Sequence, residues 1–217
     1  ILGLVGSEMC IRDSPGTINA YSAKLAELAN HNSIYLSGSG VAAASYGLPD
    51  LGVTTLENVL IDAKRITSAT SLPLLVDIDT GWGDFDAISN TIIEMGNANV
   101  AAVHIEDQIF DKRCGHRPNK QLVSIDEMQD RLKAALDAKI DDSFFIMART
   151  DALASEGIEK AIERCGKYLD VGADGIFFEA AVSIEEYKEF KNNFSAPLLA
   201  NITCLLYTSP SPRDPVS

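Results

Sequence analysis

The sequence predicts an α/β protein, a (β/α)8 barrel of the TIM type with its first strand clipped and its eighth strand and helix missing. Three observations predict it. Short β-rich runs alternate with helical patterns along most of the 217 residues. The runs are apolar on successive residues, as parallel strands covered on both faces require. Nearly every run also ends in a charged or hydrogen-bonding cluster. Strand-then-helix repetition by itself leaves a doubly wound open sheet in play. Polar groups from so many strand ends meet at one point only in a barrel, whose working site lies at the C-terminal rim. The GxGxxG turn expected after the first strand of an open dinucleotide-binding sheet is absent from the sequence.

In chain order, the runs are 33–36, 72–77, 100–105, 144–148, 175–178 and 197–200, with a clipped first strand before Gly16-Thr17-Ile18-Asn19. Their polar ends are Ser37-Gly38-Ser39-Gly40, Asp77 with Asp79, His104-Glu106-Asp107, Arg149-Asp151, Glu179, and Asn201 with Thr203. Helices with readable caps lie between them. Ser124 with Glu127 has capping-box spacing ahead of the stripe Ile125, Met128, Leu132 and Ala135, and Ser183 with Glu186 and Thr54 with Glu57 repeat the signal. A second stripe, Ile158, Ala161, Ile162, Cys165 and Leu169, stops near Gly172 and assigns Cys165 to packing.

Composition sets the outer bounds. A chain that is 46% hydrophobic supplies one sizeable core. No apolar run approaches the roughly 18 to 20 residues that span a bilayer, so a cytoplasmic location is expected. The formal charge of −13 argues against nucleic acid or an anionic membrane as partner, because approach would add repulsion. It does not exclude a small anionic substrate. Four cysteines without paired short spacing read as neither a disulfide framework nor a zinc site.

The two ends are expected to lie outside the fold. The DNA string GGCTCGGAGATGTGTATAAGAGACAG translates in its first frame to GSEMCIRD, which is residues 6–13. Its reverse complement, read one base in, gives CLLYTSPS, which is residues 204–211. Protein ends encoded by opposite strands of one string are what a sequencing adaptor joined to both ends of a fragment produces. The expected division is therefore 1–14 adaptor-derived, 15–203 partial catalytic barrel, and 204–217 adaptor-derived.

Asp77 and Asp79 close one strand, and a period of two puts them on the same side. With Glu106 from the next strand end they form an oxygen-rich set suited to Mg2+, which keeps several waters and few carboxylates. Singly, such carboxylates are more often solvated loop charges or caps. The densest feature is Lys112-Arg113-Cys114-Gly115-His116-Arg117-Pro118-Asn119-Lys120. Its cations would favour a Cys114 thiolate, and Gly115 and Pro118 shape a loop. A basic surface loop with an incidental cysteine is the bland alternative. A cysteine hydrolase using Cys114 and His116 is another, although the carboxylate set has no place in that chemistry.

Together VDIDTGWG, HIEDQ, KRCGHRPNK, MARTDA and LANIT resemble, in order and spacing, the isocitrate lyase and phosphoenolpyruvate mutase superfamily. The form KRCGHRPNK resembles its methylisocitrate lyase branch. The resemblance covers essentially all of residues 15–203 and implies a Mg2+-dependent oxo-acid lyase that cleaves 2-methylisocitrate to pyruvate and succinate in propionate catabolism. Isocitrate or dimethylmalate cleavage, and an inactive fragment or binding module, are the alternatives. By resemblance, Asp77 and Asp79 bind Mg2+ largely through water, and Glu106 supports the metal shell. Ser37, Gly38 and Ser39 hold a substrate carboxylate, while Arg149, Glu179, Asn201 and Thr203 line the substrate site. Cys114 is the acid that protonates the departing carbanion, Gly115 and His116 stabilise developing charge, and Lys112 assists. Ser39 departs from the glycine of many relatives. The family's later arginines and C-terminal packing helices have no counterpart here, so the chain as given is expected to be inactive, whereas the full-length protein is expected to be a homotetramer.

Overall fold

The computed structural model describes residues 2–5, 11–110 and 120–201. Six strands run parallel in sequence order: β3 (Ile34–Leu36), β4 (Leu74–Asp77), β5 (Ala102–Glu106), β6 (Phe145–Thr150), β7 (Gly175–Phe178) and β8 (Leu198–Asn201). Helices α1 (Ala20–Leu28), α3 (Leu56–Ala69), α4 (Phe85–Asn97), α5 (Ile125–Asp137), α7 (Ile158–Val171) and α8 (Ile184–Lys191) alternate with them. Short helices α2 (Gly38–Gly40) and α6 (Leu153–Glu156) follow β3 and β6. Among the described residues this is the predicted α/β architecture, with the barrel incomplete.

Strand bounds shift from the expected runs by one or two residues, and three departures have a clear local reason. β6 runs past Ala148 to Thr150, because Arg149 and Thr150 still pair with Phe177 and Phe178. A charged residue need not end a strand when acidic neighbours receive it. α3 is capped by Thr55 rather than Thr54: Thr55 Oγ1 accepts from Asn58 N at 3.3 Å and Asn58 Oδ1 accepts from Thr55 N at 3.0 Å. The Thr54 carbonyl is engaged elsewhere, accepting from Trp82 Nε1 at 2.9 Å. Ser37–Gly40 opens α2, which continues into a π-helical turn at Val41–Ser45, a distortion frequent at functional sites. The other signals behave as expected. Ser183 and Glu186 form a reciprocal box, Ser124 accepts from Glu127 N, and Gly172 ends α7 at φ 115°. That left-handed conformation suits glycine, which has no Cβ to crowd the carbonyl.

The period of two along each strand sorts the side chains. Ile34, Leu36, Leu74, Val76, Val103, Ile105, Ile146, Ala148, Ile176, Phe178 and Leu198 face the helices in the main core. The alternate residues Tyr35, Leu75, Met147, Phe177 and Leu199 form a second cluster inside the curled sheet, with Ala102 and Phe145 against it. Gly175 admits this packing, since a Cβ there would lie 3.1 Å from side-chain atoms of both Phe145 and Met147. Continuing the interior register towards the C-terminal ends reaches Ser37, Asp77, Asp79, Glu106, Arg149, Glu179 and Asn201. An apolar floor therefore supports a polar rim.

Near the start of the chain, β1 (Leu2–Val5) and β2 (Ile11–Ser14) pair antiparallel. β1 also pairs antiparallel with β8, from Leu2 opposite Asn201 to Val5 opposite Leu198. The chain after β2 reaches β3 through a parallel bridge between Gly16 and Tyr35. Tyr35 N donates to Pro15 O at 3.0 Å, and Thr17 N donates to Tyr35 O at 2.7 Å. The edge of β8, beside which the sequence reading leaves no eighth strand, is thus occupied by β1. A strand edge presents unpaired N–H and C=O groups that an extended segment of either direction can satisfy. Leu205, Leu206 and Tyr207 lie outside the described residues.

Candidate active site at the C-terminal rim

β4 and the turn after it place the first carboxylates. Asp77 and Asp79 are each 4% exposed and Glu106 is fully buried. Asp79 sits at φ 48°, a left-handed conformation uncommon outside glycine but more accessible to Asp and Asn. In that turn Asp79 N donates to Asp77 Oδ1 at 3.0 Å, and the Asp79 carbonyl accepts from Glu106 N at 2.9 Å. Gly38 N donates to Asp77 Oδ2 at 3.2 Å. A Cβ on Gly38 would stand 3.2 Å from Asp77 Oδ2 and 3.3 Å from Asp79 Oδ1, so only glycine allows the backbone of α2 to come this near. Ser37 and Ser39 share a hydrogen bond of 2.9 Å between their hydroxyls.

Arg149, on β6, is the cation opposite these acids. Its Nε and a terminal nitrogen donate to the two oxygens of Asp151 at 2.9 and 3.3 Å, and the same terminal nitrogen is 3.3 Å from Glu106 Oε2. The guanidinium carbon lies 5.1 Å from the Phe177 ring centroid, within cation–π range. Burial favours loss of the Arg149 proton, but the charges of Asp151, Glu106, Glu179 and Asp77 outweigh it and hold the pKa well above its ordinary value. Glu179 follows β7 and accepts from Asn201 Nδ2 at 3.3 Å. Ser37, Gly38, Ser39, Asp77, Asp79, Glu106, Arg149, Glu179 and Asn201 are therefore brought to one rim. Lys112, Cys114, Gly115, His116 and Thr203 lie outside the described residues.

Several polar residues had no assigned role in the sequence reading. His104, fully buried on the interior face of β5, has Nε2 at 3.0 Å from the Tyr35 hydroxyl and Nδ1 at 3.8 Å from Asp77 Oδ1. Burial, then the charge of Asp77, pushes the Tyr35 hydroxyl pKa well up, so it stays neutral. Lys120 Nζ donates to Asp151 Oδ1 at 2.8 Å, with both side chains buried. Burial raises the Asp151 pKa, but Arg149 and Lys120 together bring it below its ordinary value. Asp107 accepts from Thr150 Oγ1 at 2.8 Å, Tyr168 OH at 2.9 Å and Asp151 N at 2.9 Å. The one signal in the sequence was parity: Tyr35, His104 and Asp151 occupy the same interior register as the predicted residues.

The stem of the basic run is fixed on both sides. Gln108 and Leu122 form an antiparallel bridge, and Ile109 N donates to Gln121 O at 2.9 Å. Arg131 donates to Gln108 O and Arg164 to Val123 O, each at 2.9 Å.

The donor set, made of carboxylate oxygens, suits a hard divalent cation. Buried carboxylate oxygens stand beside a glycine backbone that leaves space a side chain would fill. Among the described residues no three His, Cys, Asp or Glu side chains form a direct metal cage.

Parallel strands carrying acids, a buried arginine and glycine-rich backbone at their C-terminal ends define an α/β-barrel protein with a charged rim. The family model described as phosphoenolpyruvate phosphomutase matches residues 15–213, and the chain belongs to that family. It is 60% identical over 188 residues to the 2-methylisocitrate lyase of Shewanella oneidensis, an alignment covering 87% of this chain and 64% of that protein. It thus spans just under two thirds of that relative's length. The solved structure of 2,3-dimethylmalate lyase superposes with a TM-score of 0.81 at 35% identity, covering 84% of this chain and 62% of that one. Phosphonopyruvate hydrolase in complex with oxalate and Mg++ superposes with a TM-score of 0.75 at 32% identity, covering 85% and 65%. No helix among the described residues is long and apolar enough to cross a membrane.

Proposed function

We propose that the complete protein is a Mg2+-dependent carbon–carbon lyase that cleaves 2-methylisocitrate to pyruvate and succinate. The observation that carries this reading is the rim itself, where Asp77, Asp79 and Glu106 stand beside a buried, charged Arg149 in a chain 60% identical to a 2-methylisocitrate lyase. Asp77 and Asp79 would hold Mg2+ through water, with Glu106 behind them. Mg2+ held there would supply Lewis acidity that lowers the pKa of the substrate hydroxyl.

The chain's own groups bind, orient and move the proton. Ser37, Gly38 and Ser39 receive one carboxylate on backbone N–H and hydroxyl donors. Arg149 clamps another with its planar fork, and Glu179, Asn201 and Thr203 line the remainder. The hydroxyl proton passes to a rim carboxylate, its O–H electron pair forms the pyruvate carbonyl, and the carbon–carbon bond breaks with its own pair passing to the succinyl carbon. Gly115, His116 and Lys112 stabilise the charge that develops there, and the Cys114 thiol delivers the proton that completes succinate. Exposed Leu51, Val53 and Phe110 are apolar surface that a neighbouring subunit would cover in the homotetramer proposed for the complete protein.

The test is the specificity of the complete protein. Pyruvate release from 2-methylisocitrate, dependent on Mg2+ and faster than turnover of isocitrate or dimethylmalate, is the expected result. One methyl group is worth only about 1 to 3 kcal/mol of discrimination, so the relative kcat/KM values decide. A higher value for isocitrate or dimethylmalate would reassign the substrate, and no turnover of any would remove the lyase reading.

A further inference from the structure

Between the acidic side of the rim and the end of the basic run lies a row of buried charges that alternate in sign. Glu106 is 3.3 Å from Arg149, Arg149 is held by both oxygens of Asp151, and Asp151 receives Lys120 at 2.8 Å. Glu106, Asp151 and the Lys120 ammonium stem are all essentially removed from solvent. Asp151 Oδ1 is the shared atom, accepting from Lys120 and from Arg149, while Oδ2 accepts from Arg149 Nε. The carboxylate cannot drift, because its own backbone N–H donates to Asp107 Oδ1 and Asp107 is fixed by Thr150 and Tyr168. Lys120 lies 31 residues from Asp151 in sequence and closes the run that begins at Lys112. One carboxylate thus sets both the direction of the Arg149 fork and the point at which that run rejoins the barrel.

We infer that Asp151 is a positioning residue of the rim, which acts through Arg149 and Lys120 to hold two cations in register for a polycarboxylate substrate. The substrate readout of this inference rests on the lyase reading, whereas its other readouts do not. Without the Asp151 charge, the Arg149 fork loses the acceptor that balances Glu106, and Lys120 loses its 2.8 Å ion pair. A charge-assisted hydrogen bond of this kind is worth enough to change affinity by about tenfold or more.

The experiment compares wild type, Asp151→Asn and Asp151→Glu in the complete protein. Three quantities are read: the rate of Lys120 acetylation by dilute acetic anhydride, the affinity for Mg2+ and for oxalate in its presence, and kcat and KM for 2-methylisocitrate. Lys133, exposed on α5, serves as the internal reference for acetylation. In Asp151→Asn, Lys120 should acetylate about tenfold faster, and oxalate Kd and substrate KM should rise about tenfold, with kcat and Mg2+ affinity changing far less. Asp151→Glu should recover part of each loss, and it carries the test alone if the asparagine variant does not fold. Unchanged Lys120 protection and unchanged KM would overturn the inference. So would a joint fall of kcat, Mg2+ affinity and KM performance in both variants, which is the mark of general structural damage. If wild type fails to cleave 2-methylisocitrate, the lyase reading falls, and Lys120 acetylation with oxalate affinity decides the role of Asp151. Loss of both in the variants supports it, and no change in either overturns it.

Discussion

The floor and the rim of the curled sheet are made from the same strands in the same register, and they answer to opposite physical demands. At the floor, Tyr35, Leu75, Met147, Phe177 and Leu199 pack as a buried apolar layer. Two residues further along, the same interior positions become Ser37, Asp77, Arg149, Glu179 and Asn201. The floor gains stability by removing apolar surface from water. At the rim, charges are kept out of water, where partners repay their desolvation only in part. The difference teaches that changes at the floor should act on folding and changes at the rim on binding, although the two lie a few ångströms apart. Arg149 is the exception, since its guanidinium rests on Phe177 while it holds Glu106 and Asp151 together.

That exception gives the largest expected effect. Replacing Arg149 by Met removes the guanidinium that faces Asp151, Glu106, Glu179 and Asp77, leaves Lys120 on Asp151, and should cost about 3 to 5 kcal/mol in denaturant unfolding, because buried carboxylates lose much of their compensation. Oxalate binding should disappear with it. An unchanged unfolding midpoint would mean that the rim acids are neutralised by other means. Next in size is Leu199→Ala at the floor, fully buried, which should cost about 2 to 5 kcal/mol and leave oxalate affinity per folded molecule unaltered. A shift in affinity there would erase the division between the layers.

The smallest effect belongs outside both layers. Glu156, following β6, accepts two hydrogen bonds of 2.7 Å from Arg164, and its side chain is about a third exposed. The Arg164 hydrogen bonds, against a smaller opposing effect of burial, lower the Glu156 pKa from its ordinary value of 4.5. A depressed carboxyl pKa stabilises the fold above the unfolded-state value, and that contribution is lost as pH falls below it. Glu156→Gln should therefore remove less than about 1 kcal/mol at neutral pH, solvent screening included, and should flatten the decline in stability below about pH 4.5. An equal decline in the variant would assign it to other groups.

Much of this division was legible in the sequence, for reasons the structure makes plain. Apolar runs with polar ends encode strand direction, and the period of two then brings Asp77, Glu106, Arg149 and Glu179 to one side without any knowledge of contacts. What the sequence concealed depends on partners distant along the chain. The ion pair of Lys120 with Asp151 joins the end of a loop to the end of a strand, and Tyr35 reads as an ordinary strand aromatic until His104 is placed beside it. Thr54 and Thr55 are both acceptable caps, and what separates them is Trp82 taking the Thr54 carbonyl. The antiparallel pairing of β1 with β8 lies beyond periodicity altogether, because an edge strand accepts whichever extended segment reaches it.

The most direct measurement is a calorimetric titration of Mg2+, with oxalate present, into Asp79→Asn and Leu75→Ala of the complete protein, alongside their denaturation midpoints. Asn keeps the left-handed backbone of residue 79 accessible while removing the charge. The expected result is crossed. Asp79→Asn should lose about tenfold or more in Mg2+ affinity with its midpoint nearly unchanged, and Leu75→Ala should lose about 2 to 5 kcal/mol of stability with its Mg2+ affinity intact. Equal Mg2+ affinity in wild type and Asp79→Asn would contradict the assignment of the rim as a metal and anion site.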